Sequence, residues 1–198
     1  MAWIKRASFD REKVDVLRLQ NVPLLEVQAR WGYSELTDSP AAQHYSDLAH
    51  LAAKRLSGTS FEQLSEAERY ELAFGAACAR PVLLAFLTGV ISFDVVEIGR
   101  ARLGSMFVPP NVWDPESEGR FISFEEYMTT TSLDLDDPRS VLPKGTSYEF
   151  PADPITFGRS FSFPILIDGF HRAARFWKYG PPAGKLLAYF PSGLVVED

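Results

Sequence analysis

The sequence predicts a mixed α/β (α+β) protein, mostly helical over residues 1–104 and α/β over residues 105–198. Two segments before residue 80 repeat apolar residues at helical spacing, whereas residues 164–190 have the pattern of a strand, a turn, a helix and a strand. Apolar residues make up 46% of the 198 residues, which is enough to fill a folded core. The boundary near residue 105 is soft, and a single domain is the alternative.

The N-terminal part is predicted to begin with a strand and continue with helices. Residues 22–27, VPLLEV, form a short apolar run that is typical of a strand. A first helix is expected over residues 39–58, because Ser39 and Pro40 favour a helix start and Gly58 favours a helix end.

A second helix is expected directly after this one. Thr59 or Ser60 can cap it, and Pro81 should break or kink it. Its apolar residues are Leu64, Leu72 and Phe74. The apolar run at residues 81–89 is then predicted to be a buried helix or a buried strand, since periodicity cannot separate the two in so short a run.

Prolines punctuate the chain after residue 105 and separate short aromatic segments. Residues 123–131, SFEEYMTTT, are expected to form a short helix, and residues 134–140 an acidic turn. Two strands are expected near the C-terminus, at Lys185–Phe190 and at Leu194–Val196.

The segment from Pro164 to Gly180 is predicted to form a buried strand, a sharp turn and a helix. The apolar run PILI is typical of a central strand that is covered on both faces. Asp168 and Gly169 should end the strand, because Gly adopts the backbone angles of a tight turn. A helix should start near Phe170 or His171 and end at Gly180.

The start of this helix is a candidate site for an anion. Its first N–H groups have no acceptor within the helix, and the helix dipole disfavours cations there by about 0.3–1 kcal/mol each. His171 and Arg172 nevertheless lie at this end, which indicates that a bound anion offsets them. Asp168 could hold Arg172, orient His171 or bind a metal. The alternative is that Asp168 only caps the helix and that the two cations make surface contacts.

These residues also resemble the ParB/sulfiredoxin-like superfamily, in which a strand leads into a Gly-x-His-Arg turn and a helix. The matching string is Ile167–Arg172, IDGFHR. The resemblance implies a ParB/sulfiredoxin-like core with a mixed sheet and a helical N-terminal extension. Sulfiredoxins carry a Cys where this chain has Phe170, so sulfinic acid reduction is not expected.

What the resemblance implies for function is nucleotide binding. Its candidate binding residues are Gly169, Phe170, His171 and Arg172, its candidate catalytic residues are Asp168 and His171, and its candidate metal ligand is Asp168. The expected cofactor is a nucleoside triphosphate, ATP or CTP, with Mg²⁺. If the chain is an enzyme, the expected reaction is phosphoryl transfer or nucleotide hydrolysis. The alternatives are a nuclease acting on DNA and a non-enzymatic interaction or regulatory module in a bacterial or mobile-element setting.

The composition of the chain limits the kinds of binding partner and site that are expected. The net charge of −6 disfavours nucleic acid, whose binding depends on neutralisation of phosphates by Lys and Arg. The single cysteine, Cys78, excludes an intrachain disulfide and a cysteine-based zinc site. No apolar run reaches the length of about 20 residues that crosses a bilayer, so a cytosolic location without a membrane partner is expected.

Several other side chains are weaker candidates. Glu125 or Glu126 could serve as a general base, Arg159 could lie near the turn, and Arg175 could face the phosphates or point to solvent. Phe176 and Trp177 are expected in the core. His44 and His50 are six residues apart and do not share a helix face, and the acidic cluster at residues 134–137 lacks the Gly and the distal Glu of a calcium loop, so neither predicts a metal site.

Overall fold

The computed structural model describes residues 20–38, 59–79, 84–109, 121–130, 154–160 and 163–194. The strands are β1 (Gln20–Pro23), β2 (Ser92–Gly99), β3 (Phe107–Val108), β4 (Ile122–Ser123), β5 (Ile155–Ser160), β6 (Phe163–Asp168) and β7 (Lys185–Pro191). The α-helices are α1 (Leu24–Asp38), α2 (Glu66–Ala79), α3 (Arg100–Ser105), α4 (Phe124–Thr130) and α5 (Phe170–Tyr179). Two short 3-10 helices cover Phe61–Gln63 and Ala85–Leu87.

The seven strands form one mixed sheet in the order β1-β2-β7-β5-β6-β3-β4. The β7–β5 and β6–β3 pairs are parallel, and the other pairs are antiparallel. This arrangement confirms the predicted mixed α/β class. Strands on both sides of the predicted boundary near residue 105 belong to the sheet, and the division into two parts stays a prediction.

Alternate side chains of the strands are buried in two different cores, one on each face of the sheet, because successive residues of a strand point to opposite faces. On β6, Leu166 packs into a core shared with α3, α4 and α5. Its neighbours Ile165 and Ile167 pack into a second core with Val27 and Trp31 of α1. The run PILI is therefore covered on both faces, as predicted.

The predicted strand at residues 22–27 is correct only at its start. β1 ends at Pro23, and the backbone N–H of Leu24 donates to the Ile91 carbonyl as α1 begins. Val27 and Trp31 then lie one helical turn apart and are both buried. The apolar pattern of residues 22–27 does not distinguish a helix from a strand, and α1 forms there because its side chains pack against the sheet.

The helix predicted from Thr59 or Ser60 is interrupted. The chain forms a 3-10 helix at Phe61–Gln63, and α2 begins only at Glu66. Ser65 starts α2 through a capping box, since its Oγ accepts from the Glu68 backbone N–H and the Glu68 carboxylate accepts from the Ser65 N–H. Of the apolar residues named for this helix, Leu64 and Leu72 are buried, whereas Phe74 is 66% exposed.

Of the apolar run at residues 81–89, predicted to be a buried helix or a buried strand, residues 81–83 lie outside the described residues, Leu84 is helical, and residues 84–89 form no strand. A 3-10 helix at Ala85–Leu87 is followed by a turn through Gly89, whose φ is +74°. Strand β2 follows and was not predicted, because Asp94 and Glu97 interrupt its apolar pattern. Asp94 is buried there and accepts from Asn21 Nδ2 at 3.0 Å and from Ser192 Oγ at 3.0 Å.

Other predicted elements are confirmed. α4 lies within the predicted 123–131 segment, β6 and α5 match the predicted strand and helix, and β7 covers the predicted strand at Lys185–Phe190. Outside the described residues lie the helix at 39–58 with His44 and His50, Pro81, the acidic segment at 134–140 and the strand at Leu194–Val196 beyond its first residue. The Cys78 side chain also lies outside them. Among the described helices, none has the length and apolarity that a bilayer crossing needs.

Candidate functional site

The predicted turn between β6 and α5 is present. Asp168 ends β6, and Gly169 adopts a left-handed conformation with φ 78° and ψ 23°. A Cβ at Gly169 would lie 2.6 Å from Ile155 Cγ2, well inside van der Waals contact. Both the backbone angles and the lack of space therefore require glycine here.

Phe170 fixes the start of α5 to the core. Its side chain is buried and packs edge-to-face on Tyr127, with ring centroids 4.7 Å apart, and on Phe124 at 5.5 Å. Since this ring is committed to the core, any contact of Phe170 with a ligand falls to its backbone N–H.

The N-terminus of α5 has no side-chain cap. The Ala173 N–H donates to the Gly169 carbonyl at 2.9 Å and makes the first intrahelical hydrogen bond. The N–H groups of Phe170, His171 and Arg172 precede this bond, so they have no acceptor within the helix. The His171 side chain lies outside the described atoms.

Asp168 and Arg172 form an ion pair across the turn. Arg172 Nη2 lies 3.2 Å from Asp168 Oδ2, and the two side chains are only 20% and 19% exposed. Of the roles predicted for Asp168, the structure shows one, the ion pair that holds Arg172. The carboxylate offsets the unfavourable placement of a cation at a helix N-terminus, a role that the sequence predicted for a bound anion.

A small cleft opens beside this ion pair. Its volume is about 20 Å³, which suits roughly one water molecule. The lining residues come from α1, β5, β7 and the β6–α5 turn, and they are Val27, Arg30, Trp31, Ser34, Pro154, Thr156, Asp168, Arg172 and Tyr189. Arg30 of α1 thus lines the same cleft as Arg172 of α5.

Arg30 was not predicted as a site residue. It pairs with Glu26 at 3.1 Å and with Glu62 at 3.4 Å, and its guanidinium lies 4.2 Å from the centre of the Phe61 ring. Arg69 stacks on the same ring at 4.8 Å and also pairs with Glu26, at 3.1 Å. The spacing of Glu26 and Arg30 on one helical face is the only sequence signal for this cluster.

The electrostatics around Arg30 affect one exposed carboxyl group. The pKa of Glu62 lies below its ordinary value, first because the backbone of Glu62 hydrogen bonds to its own carboxylate. The positive charge of Arg30 lowers this pKa further. The lowered pKa keeps Glu62 ionised beside Arg30.

Several weaker candidates lie away from the cleft. Glu125 and Glu126 are in the first turn of α4 and do not line it, and neither does Arg175. Arg159 lies opposite Pro164 in the β5–β6 register, at the end of the two strands that is remote from the β6–α5 turn. Its predicted placement near that turn is therefore wrong. Phe176 and Trp177 pack in the core as predicted, on the α5 side of the sheet.

A metal site formed by protein groups alone is not found in the described part of the chain, where no three His, Cys, Asp or Glu residues cluster. Asp168 is a single carboxylate beside a guanidinium. Mg²⁺ commonly binds through one or two carboxylates together with substrate phosphates, so Asp168 fits the predicted ion only as part of a ligand-completed site.

Comparison of the chain with protein-family models, with curated proteins and with solved structures finds no match. The candidate site is therefore defined by its own geometry: a glycine turn, an uncapped helix start and two arginines from different helices at one cleft.

Proposed function

We propose that this chain is a cytosolic nucleotide-binding protein with a ParB/sulfiredoxin-like core, and that the β6–α5 turn holds the phosphates. The observation that carries the proposal is that Arg172, in the first turn of α5, and Arg30 of α1 line one cleft beside the β6–α5 turn. Guanidinium groups and helix N-termini both favour phosphate oxygens, and here the two arginines come from separate helices.

Binding in this proposal proceeds by exchange of ionic partners. The cleft of about 20 Å³ is smaller than a phosphate group, so Arg172 has to turn from Asp168 toward the ligand. The Asp168 carboxylate then becomes available to Mg²⁺, which the phosphates would complete. Gly169 gives the turn its left-handed angles, and Ile155 fills the space in which a Cβ would lie.

A reaction at this site would be phosphoryl transfer or nucleotide hydrolysis. Such chemistry depends mostly on positioning and on neutralisation of phosphate charge, which Arg172 and the bound cation would supply. Asp168 and His171 are the proposed catalytic residues, Asp168 through the cation and His171 through its place in the first turn of α5.

Isothermal titration with ATP, CTP and GTP in the presence of Mg²⁺ tests the proposal. We expect Arg172→Gln to weaken binding at least tenfold, since a charge-assisted hydrogen bond contributes about 1.5–3 kcal/mol. Arg175→Gln is the matched control, because Arg175 lies on the same helix but not at the cleft, and it should stay within about twofold of the native protein. Absence of native binding, or equal losses in both variants, refutes the proposal.

The partner exchange has its own test. Asp168→Asn removes the carboxylate that competes with phosphate for Arg172. Without Mg²⁺ this variant should bind nucleotide more tightly than the native protein, and with Mg²⁺ it should lose the gain in affinity that the cation gives. A variant that is weaker under both conditions contradicts the exchange.

A further inference from the structure

A second cleft lies at the opposite end of strand β5. Its volume is about 340 Å³, and its lining residues are Ala85, Phe86, Thr88, Arg159 and Ser160. In the β5–β6 register Thr156 lies opposite Asp168, at the β6–α5 turn, and Arg159 lies opposite Pro164. The three residues from Thr156 to Arg159 span roughly 10 Å of strand, and this distance separates the cleft from the turn. The two clefts are therefore independent places on the sheet.

Two glycines bring the walls of this cleft together. A Cβ at Gly158 would lie 2.7 Å from the Phe86 carbonyl oxygen, so the 3-10 segment packs directly on the β5 backbone. Gly89 has a φ of +74°, and a Cβ there would lie 2.6 Å from Arg159 Nη2. The turn after the 3-10 helix thus lies directly against the guanidinium, and a side chain at either glycine would move these walls apart.

The polar groups of the cleft are donors that have no acceptor among the described residues. Within the described part of the chain, Arg159 makes no ion pair and no hydrogen bond, although its side chain is partly buried. The hydroxyl groups of Thr88 and Ser160 likewise make none there. Arg30 and Arg172, by contrast, each pair with a carboxylate. A partly buried guanidinium beside two hydroxyl groups stabilises an anion that supplies the missing acceptors.

The other wall of the cleft is apolar. Phe86 is partly buried and packs edge-to-face with Phe121, with ring centroids 6.3 Å apart and an angle of 75° between the rings. Phe121 itself is 43% exposed beside it. These rings offer an aromatic or apolar group of a ligand a surface close to the guanidinium.

We propose that this cleft is a binding site for a small organic anion, a phosphate or carboxylate that carries an aromatic or apolar group. Arg159 binds the anionic group through its two-pronged donor, Thr88 and Ser160 donate to it, and the rest of the ligand rests on Phe86. The volume falls at the lower end of the range of about 300–1,000 Å³ that is typical of small-molecule sites. The ligand is therefore a compact molecule rather than a polymer.

Titration of the isotope-labelled full chain with phenyl phosphate, benzoate and inorganic phosphate tests this site, with backbone amide shifts as the readout. We expect phenyl phosphate or benzoate to shift the Thr88 and Ser160 amides with saturation, and inorganic phosphate to bind at least tenfold more weakly than phenyl phosphate. Tighter binding of phenyl phosphate than of benzoate assigns the anionic group as phosphate, and the reverse order assigns it as carboxylate. No saturable shift with either ring-bearing anion overturns the proposal.

Variants separate this cleft from the proposed nucleotide site. Arg159→Gln should weaken the titration at least tenfold, Ser160→Ala should weaken it severalfold, and Arg172→Gln should leave it within twofold of the native protein. A loss in Arg172→Gln with no loss in Arg159→Gln overturns the site. Nucleotide binding can fail while this titration succeeds, because the two experiments depend on different arginines.

Discussion

Replacement of Gly169 by alanine should destabilise the protein through two separable effects. The left-handed conformation at φ 78° costs a residue with a Cβ about 1–2 kcal/mol. The new Cβ would also lie 2.6 Å from Ile155 Cγ2, and overpacking in a core costs about 1–3 kcal/mol. Together they lower the free energy of unfolding by about 2–5 kcal/mol.

Gly193 provides a matched control for this substitution. Its φ of +76° is nearly the same, but no atom lies within 4 Å of the position of a Cβ there. Gly193→Ala should therefore show only the conformational cost of about 1–2 kcal/mol. The difference between the two variants isolates the contact with Ile155, about 1–3 kcal/mol.

Urea unfolding, followed by tryptophan fluorescence and by circular dichroism, measures both variants. The slope with denaturant should stay the same while the midpoint falls, and it should fall further for Gly169→Ala. If Gly169→Ala is no less stable than Gly193→Ala, then the turn does not pack against Ile155 as described. Lack of space would then not be the reason that the turn needs glycine.

Two further outcomes are expected. Phe170→Ala should lower the free energy of unfolding by about 3–5 kcal/mol, because the ring is buried against Tyr127. Phe74→Ala removes a side chain that is 66% exposed, so it should change this free energy by no more than about 0.5 kcal/mol. Equal losses of the two variants in urea unfolding would contradict this packing. In an NMR titration the pKa of Glu62 should stay below its ordinary value in Arg30→Gln, because its own backbone is the largest cause, and a full return to the ordinary value would contradict that order of causes. A lowered pKa stabilises the folded state above the pKa of the unfolded chain, and this small contribution is lost as the pH falls through the lowered value.

The strand, turn and helix around Asp168 were predictable because all their signals are local. A buried apolar run, a glycine that permits a left-handed turn and a terminating Gly180 act within 17 residues. The i, i+4 spacing of Asp168 and Arg172 was also visible, although the sequence left three roles open for the carboxylate. In the structure the anion beside Arg172 is the Asp168 carboxylate of the chain itself.

Elements whose identity depends on long-range packing were predicted less well. The run at residues 22–27 became half strand and half helix, because β1 pairs with β2 while Val27 and Trp31 pack on the sheet. Strand β2 was missed because Asp94 interrupts its apolar pattern, and that carboxylate is satisfied by Asn21 and Ser192 from distant parts of the chain. No local window contains such partners.

The sequence by itself determined the mixed α/β class, the start and end of α5, and which charged residues stand at its first turn, because periodicity, glycine angles and charge act between near neighbours. Only the tertiary structure decided that Arg30 joins Arg172 at one cleft and that Arg159 lies at the opposite end of β5 beside Phe86. These placements depend on strand order and register, which are set by burial of two sheet faces across the whole chain.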